Sequence, residues 1–273
     1  MYKRDDVKIF LLCHKIPEYG LIDNSIVTPL HVGAALSRDF VCETRDDTGD
    51  NISELNEFYT EDTGLYWIWK NVNDCKYKGQ FQYRRRLLFP EYVVDFDEIF
   101  TEFDAIIADP VDLRVVFDKP EYTLENQYGA AHNIEDLILL EKIIKEKYPE
   151  YREDYDKYIK NGSEILYSNG FILKKDDYNE YCAMLFDVLA EWLKRMSLNT
   201  MDDVRKFVME CIDDGRIPCD TMKDPNFESK DYICKYQMRI GGSLAERVFT
   251  VFARHKFKKI LFLPYDKTEN IEP

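Results

Sequence analysis

The chain lacks the sequence patterns that mark several common protein classes. Its seven cysteines are scattered without a CxxC pair, and its four histidines stand alone, without metal-ligand spacing. We therefore expect reduced thiols, and neither a disulfide framework nor a zinc site. A Ser-His-Asp order, a P-loop and a GxGxxG fingerprint are also missing, which removes the commonest hydrolase and nucleotide-binding signatures.

Long hydrophobic segments are missing as well. No run approaches the ~20 apolar residues of a membrane span. Residues 1–6 are rich in charge, and the apolar run Val7–Cys13 is too short for the core of a signal peptide. These absences predict a cytoplasmic protein.

Basic residues are outnumbered by acidic ones. The chain has 37 lysines and arginines against 52 aspartates and glutamates, which gives a net charge of −15. So acidic a chain is not expected to bind nucleic acid nonspecifically or to anchor broadly on anionic lipid. An anionic substrate would have to be held by a local cluster of basic residues.

What the chain does contain is an alternation of strands and helices. Apolar runs predict strands at 7–13, 40–43, 79–83, 104–109, 165–173 and 259–263. Helical spacing predicts helices at 58–71, 94–103, 134–147, 176–195, 201–213 and after the glycine pair 241–242. Segments 45–53 and 220–236 have the composition of loops. The pattern predicts a single α/β domain over residues 1–273, with a mainly parallel sheet flanked by helices. Ligands of such sheets bind at the carboxyl ends of the strands.

The densest basic cluster is Arg84-Arg85-Arg86, directly after the predicted strand 79–83. Three consecutive guanidinium groups repel one another unless they meet anions, and arginine matches phosphate oxygens bidentately. The cluster is thus a candidate clamp for a diphosphate. The alternative is a solvated turn whose arginines pair with aspartate or glutamate.

A second candidate is the acidic loop DDTGDN at 46–51. Its carboxylates suit a divalent metal ion, and they equally suit the hydroxyls of a ribose or the edge of a base. The alternative is a plain solvated loop.

Two segments with glycine complete the set. Asn169-Gly170 interrupts a strand pattern, which indicates a bulge or a close approach of the backbone to another group. Gly241-Gly242 before a helix would open the helix N-terminus to a ligand. Glu246, expected in the first turn of that helix, would face the same cavity, or would instead complement the helix dipole or pair with the next residue, an arginine.

The sequence resembles one bacterial family over nearly its whole length. The matching segments are CHK at 13–15, LHVGAA at 30–35, GDNISELNEFYTEDTGLYWIWKN at 49–71, QYRR at 82–85, NGFI at 169–172 and GSLAER at 242–247. The family comprises small glycosyltransferases of capsule, exopolysaccharide and O-antigen clusters, long catalogued as a domain of unknown function. The chain departs from its pattern at Gln82, usually histidine, at Arg86, usually tyrosine, and at Gly170, commonly methionine.

This resemblance implies a GT-A-like fold and transfer of a sugar from a UDP-sugar, with galactose and galactofuranose as the sugars of characterised relatives. The implied acceptor is a polysaccharide or a lipid-linked oligosaccharide, with room for peripheral association at the inner membrane face. The implied nucleotide-sugar-binding residues are those of the matching segments: His14, Lys15, Val32, Gly33, Asp47, Asp50, Asn51, Tyr83, Arg84, Arg85, Asn169 and Gly170.

The resemblance also implies roles for charged residues. GT-A domains usually hold a metal on the diphosphate with a DxD triplet, and Tyr83-Arg84-Arg85 takes that place here. We therefore expect Arg84 and Arg85 to neutralise the leaving diphosphate without a metal cofactor, with Mn²⁺ or Mg²⁺ as the alternative. Glu246 is the expected general base, and Asp109 at a strand end is the second candidate.

Two other functions stay open at this stage. A nucleotide-sugar-binding or scaffold protein of a polysaccharide assembly system would have a degenerate site, which the change to Gln82 permits. A metal-dependent sugar-nucleotide hydrolase would use the carboxylates at 46–50 and would turn over without an acceptor.

Overall fold

The computed structural model describes residues 5–88, 95–218 and 229–267. Its strands are β1 (Val7–Cys13), β2 (Val27–His31), β3 (Tyr77–Gln82), β4 (Arg85–Leu87), β5 (Ala105–Ala108), β6 (Val111–Asp112), β7 (Glu164–Ile165), β8 (Gly170–Lys174), β9 (Ile260–Leu263) and β10 (Tyr265–Lys267). Its α-helices are α1 (Asn56–Tyr59), α2 (Asp62–Asn71), α3 (Phe96–Glu102), α4 (Leu113–Phe117), α5 (Leu124–Ala131), α6 (Ile134–Lys147), α7 (Arg152–Tyr155), α8 (Lys175–Arg195), α9 (Met201–Asp213), α10 (Lys230–Gln237) and α11 (Ile240–Lys256).

The centre of the described fold is a six-stranded sheet in the order β2-β1-β3-β8-β5-β9. β1 pairs in parallel with β2 and β3, and β5 pairs in parallel with β9. β8 runs antiparallel to both of its neighbours, β3 and β5. The expectation of an α/β fold with a mainly parallel sheet is confirmed. The reversed strand matters for the site, because it brings the residues just before β8 to the carboxyl ends of β3 and β5.

Alternation along the strands gives the sheet two buried faces. On β1, Phe10 and Leu12 pack into one hydrophobic cluster, whereas Ile9 and Leu11 pack into another. The first cluster includes residues of α2, α5, α6, α8, α9 and α11, and the second is covered by α3. β1 is therefore apolar on both faces, as expected for an interior parallel strand.

The second strand of the sheet was predicted wrongly. Residues 40–43 form no strand, and β2 stands beside β1 instead. The sequence of β2 contains Pro29, which cannot donate to a strand ladder and argues against a central strand. Because β2 lies at the edge of the sheet, Pro29 is tolerated there, opposite Leu11.

Two helix predictions and one loop prediction also need correction. The helix predicted at 58–71 is broken at Thr60 into α1 and α2. The glycines at 241–242 lie inside α11, so Glu246 is in its second turn. α10 occupies part of the segment 220–236, for which the composition predicts a loop. Ile233, Cys234 and Gln237 form the buried face of this helix. Residues 219–228 lie outside the described residues. The strand predicted at 165–173 forms instead as two strands, β7 and β8, which belong to different sheets. The remaining predicted strands and helices form close to their predicted bounds.

Candidate active site

A cavity of about 330 Å³ opens at the carboxyl end of β3. Its walls include the turn after β3, the break between α1 and α2, the segment before β8, and the first two turns of α11, and α4 adds apolar side chains. The charged residues that line it are Glu61, Arg84, Arg85, Arg239, Glu246 and Arg247. The cavity therefore lies at the edge of the sheet where open α/β folds bind their ligands.

The cavity is locally basic although the chain is acidic. Four guanidinium groups face two carboxylates among the described lining residues, whereas the whole chain carries a net charge of −15. A partly enclosed site with an excess of positive charge attracts anions of more than one charge. The local basic cluster that an anionic substrate would require is thus present.

Arg84 and Arg85 reach the cavity through the turn between β3 and β4. The Tyr83 amide donates to the Leu12 carbonyl at 3.0 Å, which continues the alignment of β3 with β1. β4 then pairs with β10, and this pairing holds the backbone of Arg85. The Arg85 guanidinium lies 3.6 Å from the centre of the Tyr167 ring, a cation–π contact that keeps it at the cavity wall.

The glycine pair of α11 serves helix packing. A Cβ at Gly241 would lie 2.6 Å from a ring carbon of Phe58, and one at Gly242 would lie 2.3 Å from Thr60 Oγ1. The glycines thus let the first turn of α11 pack directly on the break between α1 and α2, in place of the open approach for a ligand that was expected. This contact sets Glu246, one turn further along, at the cavity.

Glu246 lies between the cavity and a buried arginine. Its Oε2 accepts a hydrogen bond from Arg247 Nη1 at 3.0 Å, and its side chain is 23% exposed. Desolvation raises the pKa of Glu246, and the charges of Arg247 and Arg85 only partly oppose that rise. A carboxylate with a raised pKa is suited to accept a proton near neutral pH. Glu246 therefore both lines the cavity and pairs with Arg247, the two alternatives that the sequence left open.

A second carboxylate, Glu61, also faces the cavity. Asn169 Nδ2 donates to Glu61 Oε1 at 2.8 Å. Desolvation opposes ionisation, but the charge of Arg239 and the Asn169 hydrogen bond outweigh it, so the pKa of Glu61 is lowered. The two cavity carboxylates thus have pKa values displaced in opposite directions, because their hydrogen bonds and neighbouring charges differ. Nothing in the helical pattern of 58–71 singled Glu61 out.

His14 and Lys15 follow β1 and lie against Tyr83. The His14 and Tyr83 ring centres are 5.0 Å apart, and the Lys15 ammonium lies 5.6 Å from the centre of the Tyr83 ring. Although part of His14 is exposed, desolvation of its ring and the charge of Arg84 lower the pKa of His14, so the ring is neutral at pH 7. The segments CHK and QYRR, distant in the chain, are therefore neighbours at one end of the sheet.

Asp46, the first residue of the acidic loop, is buried and accepts four hydrogen bonds. Its Oδ2 accepts from the Gly33 amide at 2.8 Å and from Thr63 Oγ1 at 2.6 Å. Its Oδ1 accepts from the Ala34 amide at 3.0 Å and from Ser53 Oγ at 2.6 Å. Asp46 thereby joins the turn after β2 to the start of α2, so two of the matching segments form one packed unit.

The side chains of Asp47, Asp50 and Asn51 in the same loop contact different partners. Asp47 Oδ1 lies 3.2 Å from Arg45 Nε, and Asp50 Oδ1 accepts from the Tyr66 hydroxyl at 3.0 Å. The Asn51 side chain hydrogen-bonds within its own loop. Within residues 5–88, 95–218 and 229–267, no group of three or more His, Cys, Asp or Glu side chains is arranged to hold a metal ion.

The remaining predicted site residues occupy other positions. Val32 and Gly33 are buried in the turn after β2. Gly170 begins β8, where a Cβ would lie 3.0 Å from the Ala108 Cβ. Asp109 is exposed after β5 and is not among the described residues that line the cavity. Of the predicted site residues, the cavity brings together Arg84, Arg85, Asn169 and Glu246.

Replacing Asp46 with asparagine should lower the free energy of unfolding by about 3 kcal/mol, because an amide NH₂ would face buried donors that the carboxylate now accepts from. Urea unfolding followed by circular dichroism measures this difference. Asp50→Asn is the matched control in the same loop, and its exposed position predicts a change below about 1 kcal/mol. Equal stability of the two variants would contradict the role assigned to Asp46.

The sequence matches a known protein family over most of its length. The family described as Domain of unknown function (DUF4422) matches residues 8–212. The chain belongs to this family. The DUF4422 match runs from β1 to α9, so it includes Glu61, Arg84, Arg85 and Asn169, whereas α11 with Glu246 follows it.

The DUF4422 chain shares its fold with a solved glycosyltransferase. The apo structure of WbbM, a bifunctional glycosyltransferase, aligns with a TM-score of 0.70 at 23% sequence identity. The alignment covers 97% of this chain and 46% of WbbM, so the chain spans about half of that protein. The expected GT-A-like α/β fold is thereby confirmed. No curated protein matches the sequence at a significant level. None of the helices in the described residues is both long and apolar enough to span a bilayer.

Proposed function

We propose that the protein is a glycosyltransferase that moves a sugar from a UDP-sugar to a hydroxyl group of a glycan or a lipid-linked glycan. The observation that carries this proposal is the basic cavity at the end of β3, in an otherwise acidic chain. A nucleoside diphosphate sugar presents the doubly charged diphosphate that such a cavity attracts. The shared fold with a glycosyltransferase structure supports the same reaction class.

The nucleotide and the diphosphate occupy neighbouring parts of this end of the sheet in our proposal. The nucleotide lies beyond β1, near His14 and Lys15. Arg84 and Arg85 contact the diphosphate and offset the charge that develops on it as the anomeric C–O bond breaks. Charge stabilisation by two arginines makes a metal cofactor dispensable.

Glu246 acts as the general base in this reaction. The acceptor hydroxyl oxygen attacks the anomeric carbon, the bond from that carbon to the diphosphate oxygen breaks, and UDP leaves with the bonding electrons. The hydroxyl proton passes to the Glu246 carboxylate. Its place at the cavity and its raised pKa support this role.

The finer assignments extend the same proposal. The sugar is a hexose of the galactose type, pyranose or furanose, and the acceptor belongs to a capsule, exopolysaccharide or O-antigen pathway. The reaction takes place in the cytoplasm, with the enzyme peripherally at the inner membrane face when the acceptor is lipid-linked. The hydrolase alternative has less support. Asp46 already accepts four hydrogen bonds within the protein, and Asp47 and Asp50 contact different partners.

Calorimetric titration with UDP tests the proposal directly. The expected result is saturable binding, with a dissociation constant in the micromolar range that is typical of enzyme substrates. Titration with AMP, which lacks both the uracil and the diphosphate, is the matched control and should give much weaker binding. Absence of UDP binding at millimolar concentration would overturn the proposed function.

A further inference from the structure

We propose that Glu61 and Asn169 form a subsite that recognises the transferred sugar through two of its hydroxyl groups. This inference rests on the proposed function, since it assigns the part of the cavity between the diphosphate residues and Glu246. The two side chains come from distant parts of the chain and are joined by the 2.8 Å hydrogen bond from Asn169 Nδ2 to Glu61 Oε1.

The backbone beside Glu61 is held in a strained conformation. Thr60 has φ 54° and ψ −133°, a combination of backbone angles that residues other than glycine rarely adopt. Asn56 Nδ2 donates to the Thr60 carbonyl at 2.6 Å and to Thr63 Oγ1 at 2.9 Å. The strain interrupts the helix between α1 and α2 and leaves Glu61 at the cavity wall. Strain of this kind, held by surrounding contacts, is characteristic of functional sites.

Asn169 adds an acceptor that the described residues do not use. The residue is 2% exposed and lines the cavity, yet its buried Oδ1 has no hydrogen-bond partner among the described residues. An unpaired buried carbonyl is costly, and a ligand donor would relieve that cost. Asn169 Oδ1 is therefore a built acceptor for a ligand group.

The chemistry of the pair selects hydroxyl groups. Glu61, with its lowered pKa, is ionised at neutral pH and can only accept hydrogen bonds, as can Asn169 Oδ1. Phosphate oxygens are acceptors too, so a diphosphate cannot satisfy this pair. Two neighbouring acceptors fit a vicinal diol, the group that every common hexose carries.

The position of the pair indicates the transferred sugar. Asn169 Nδ2 lies 3.4 Å from Gln82 Oε1, two residues before Arg84, so the pair adjoins the proposed diphosphate clamp. The Glu61 carboxylate also lies within electrostatic reach of Glu246, the proposed base. The group between a diphosphate and the general base is the sugar that changes hands.

Calorimetry with paired ligands tests this subsite. The full-length chain and its Glu61→Gln variant are titrated with UDP and with the tightest binder among UDP-glucose, UDP-galactose, UDP-galactofuranose and UDP-N-acetylglucosamine. Loss of a charge-assisted hydrogen bond predicts about ten- to hundredfold weaker binding of the UDP-sugar. Affinity for UDP should stay within twofold of the wild type. Glu54→Gln, an exposed carboxylate of the same region, is the matched control and should change neither affinity.

Deoxy analogues of the chosen UDP-sugar make the test specific. Removing the hydroxyl that Glu61 accepts from should weaken binding to the wild type and leave binding to Glu61→Gln unaltered. Equal weakening of UDP and UDP-sugar in the variant, or no change in either, would overturn the inference. So would a wild type that binds UDP and none of the four UDP-sugars.

The outcomes separate this inference from the proposed function. If the wild type binds no UDP, the proposed function itself fails. If UDP binds and the variant shows no selective loss, only the sugar subsite fails. Should Glu61→Gln not fold, Glu61→Asp keeps the charge but withdraws it by one methylene, and it must show the same selective loss.

Discussion

Replacing Glu246 with glutamine should lower kcat by about 10²–10⁴-fold, the range that general-base catalysis contributes. Glutamine keeps the shape of the side chain and an oxygen that can accept from Arg247, but it cannot take up the acceptor's proton. Affinity for UDP should change little, because the proposed diphosphate contacts come from Arg84 and Arg85. Steady-state kinetics of UDP release, with calorimetry for UDP, measure the two quantities.

The pH profile gives an independent test of the same residue. Desolvation raises the pKa of Glu246, so the base becomes protonated at a higher pH than an ordinary glutamate. The wild-type kcat should therefore fall as the pH drops through that raised pKa. In Glu246→Gln this acid limb should disappear from the residual activity, which a purely structural role would not cause.

A structural role for Glu246 predicts a different outcome. The ion pair with Arg247, whose side chain is 4% exposed, would then appear as a lowered Tm with a normal turnover rate. Glu164→Gln is the matched control, because Glu164 Oε2 also pairs with an arginine, Arg254, at 2.8 Å but outside the cavity lining described here. Normal turnover in Glu246→Gln would move the search for the base to Glu61 and then Asp109.

The double change Arg84→Ala/Arg85→Ala should weaken UDP binding by about a hundredfold or more. Each hydrogen bond between a guanidinium and a phosphate is worth about 1.5–3 kcal/mol, and about 1.4 kcal/mol corresponds to a factor of ten. The reaction should suffer further, because the charge on the diphosphate grows as the sugar departs. Calorimetry and kcat/KM measure these losses separately.

Two controls make the arginine prediction specific. Arg152→Ala/Arg216→Ala removes the same charge from exposed positions and should leave UDP affinity within about twofold, since exposed pairs contribute little. Treatment with EDTA should leave wild-type activity intact, because the arginines supply the positive charge. Activity that EDTA abolishes and Mn²⁺ restores would contradict the metal-free clamp, as would unchanged UDP affinity in the double variant.

Much of the fold could be predicted because its signals are local. β1 is apolar on both faces of the sheet, and the apolar residues of α6 and α9 recur at helical spacing, so these elements appear where the sequence predicts them. β2 escaped prediction because Pro29 is tolerated only at a sheet edge, and edge position is a property of the assembled sheet.

The candidate site was predictable in part for the same reason. Arg84 and Arg85 form a charge cluster after a strand, and Asn169 interrupts a strand pattern, so both are visible in the sequence. Glu61 was missed, since its neighbours fit a continuous helix and only the Thr60 backbone turns it toward the cavity. The sequence groups Asp46 with an acidic loop. Its buried position depends on the tertiary structure, in which it accepts hydrogen bonds from four donors of three separate segments.

The sequence by itself determined the α/β class, the positions of most strands and helices, and the basic cluster that an acidic chain needs to hold an anion. Only the tertiary structure decided which charged residues share a cavity. The antiparallel course of β8 brings Asn169 to the end of β3, and the glycines of α11 let that helix close on the break beside Glu61. Local patterns follow from backbone geometry within a few residues. The meeting of Glu61, Asn169 and Glu246 depends instead on contacts between distant segments, such as the hydrogen bond between Asn169 and Glu61, which are 108 residues apart.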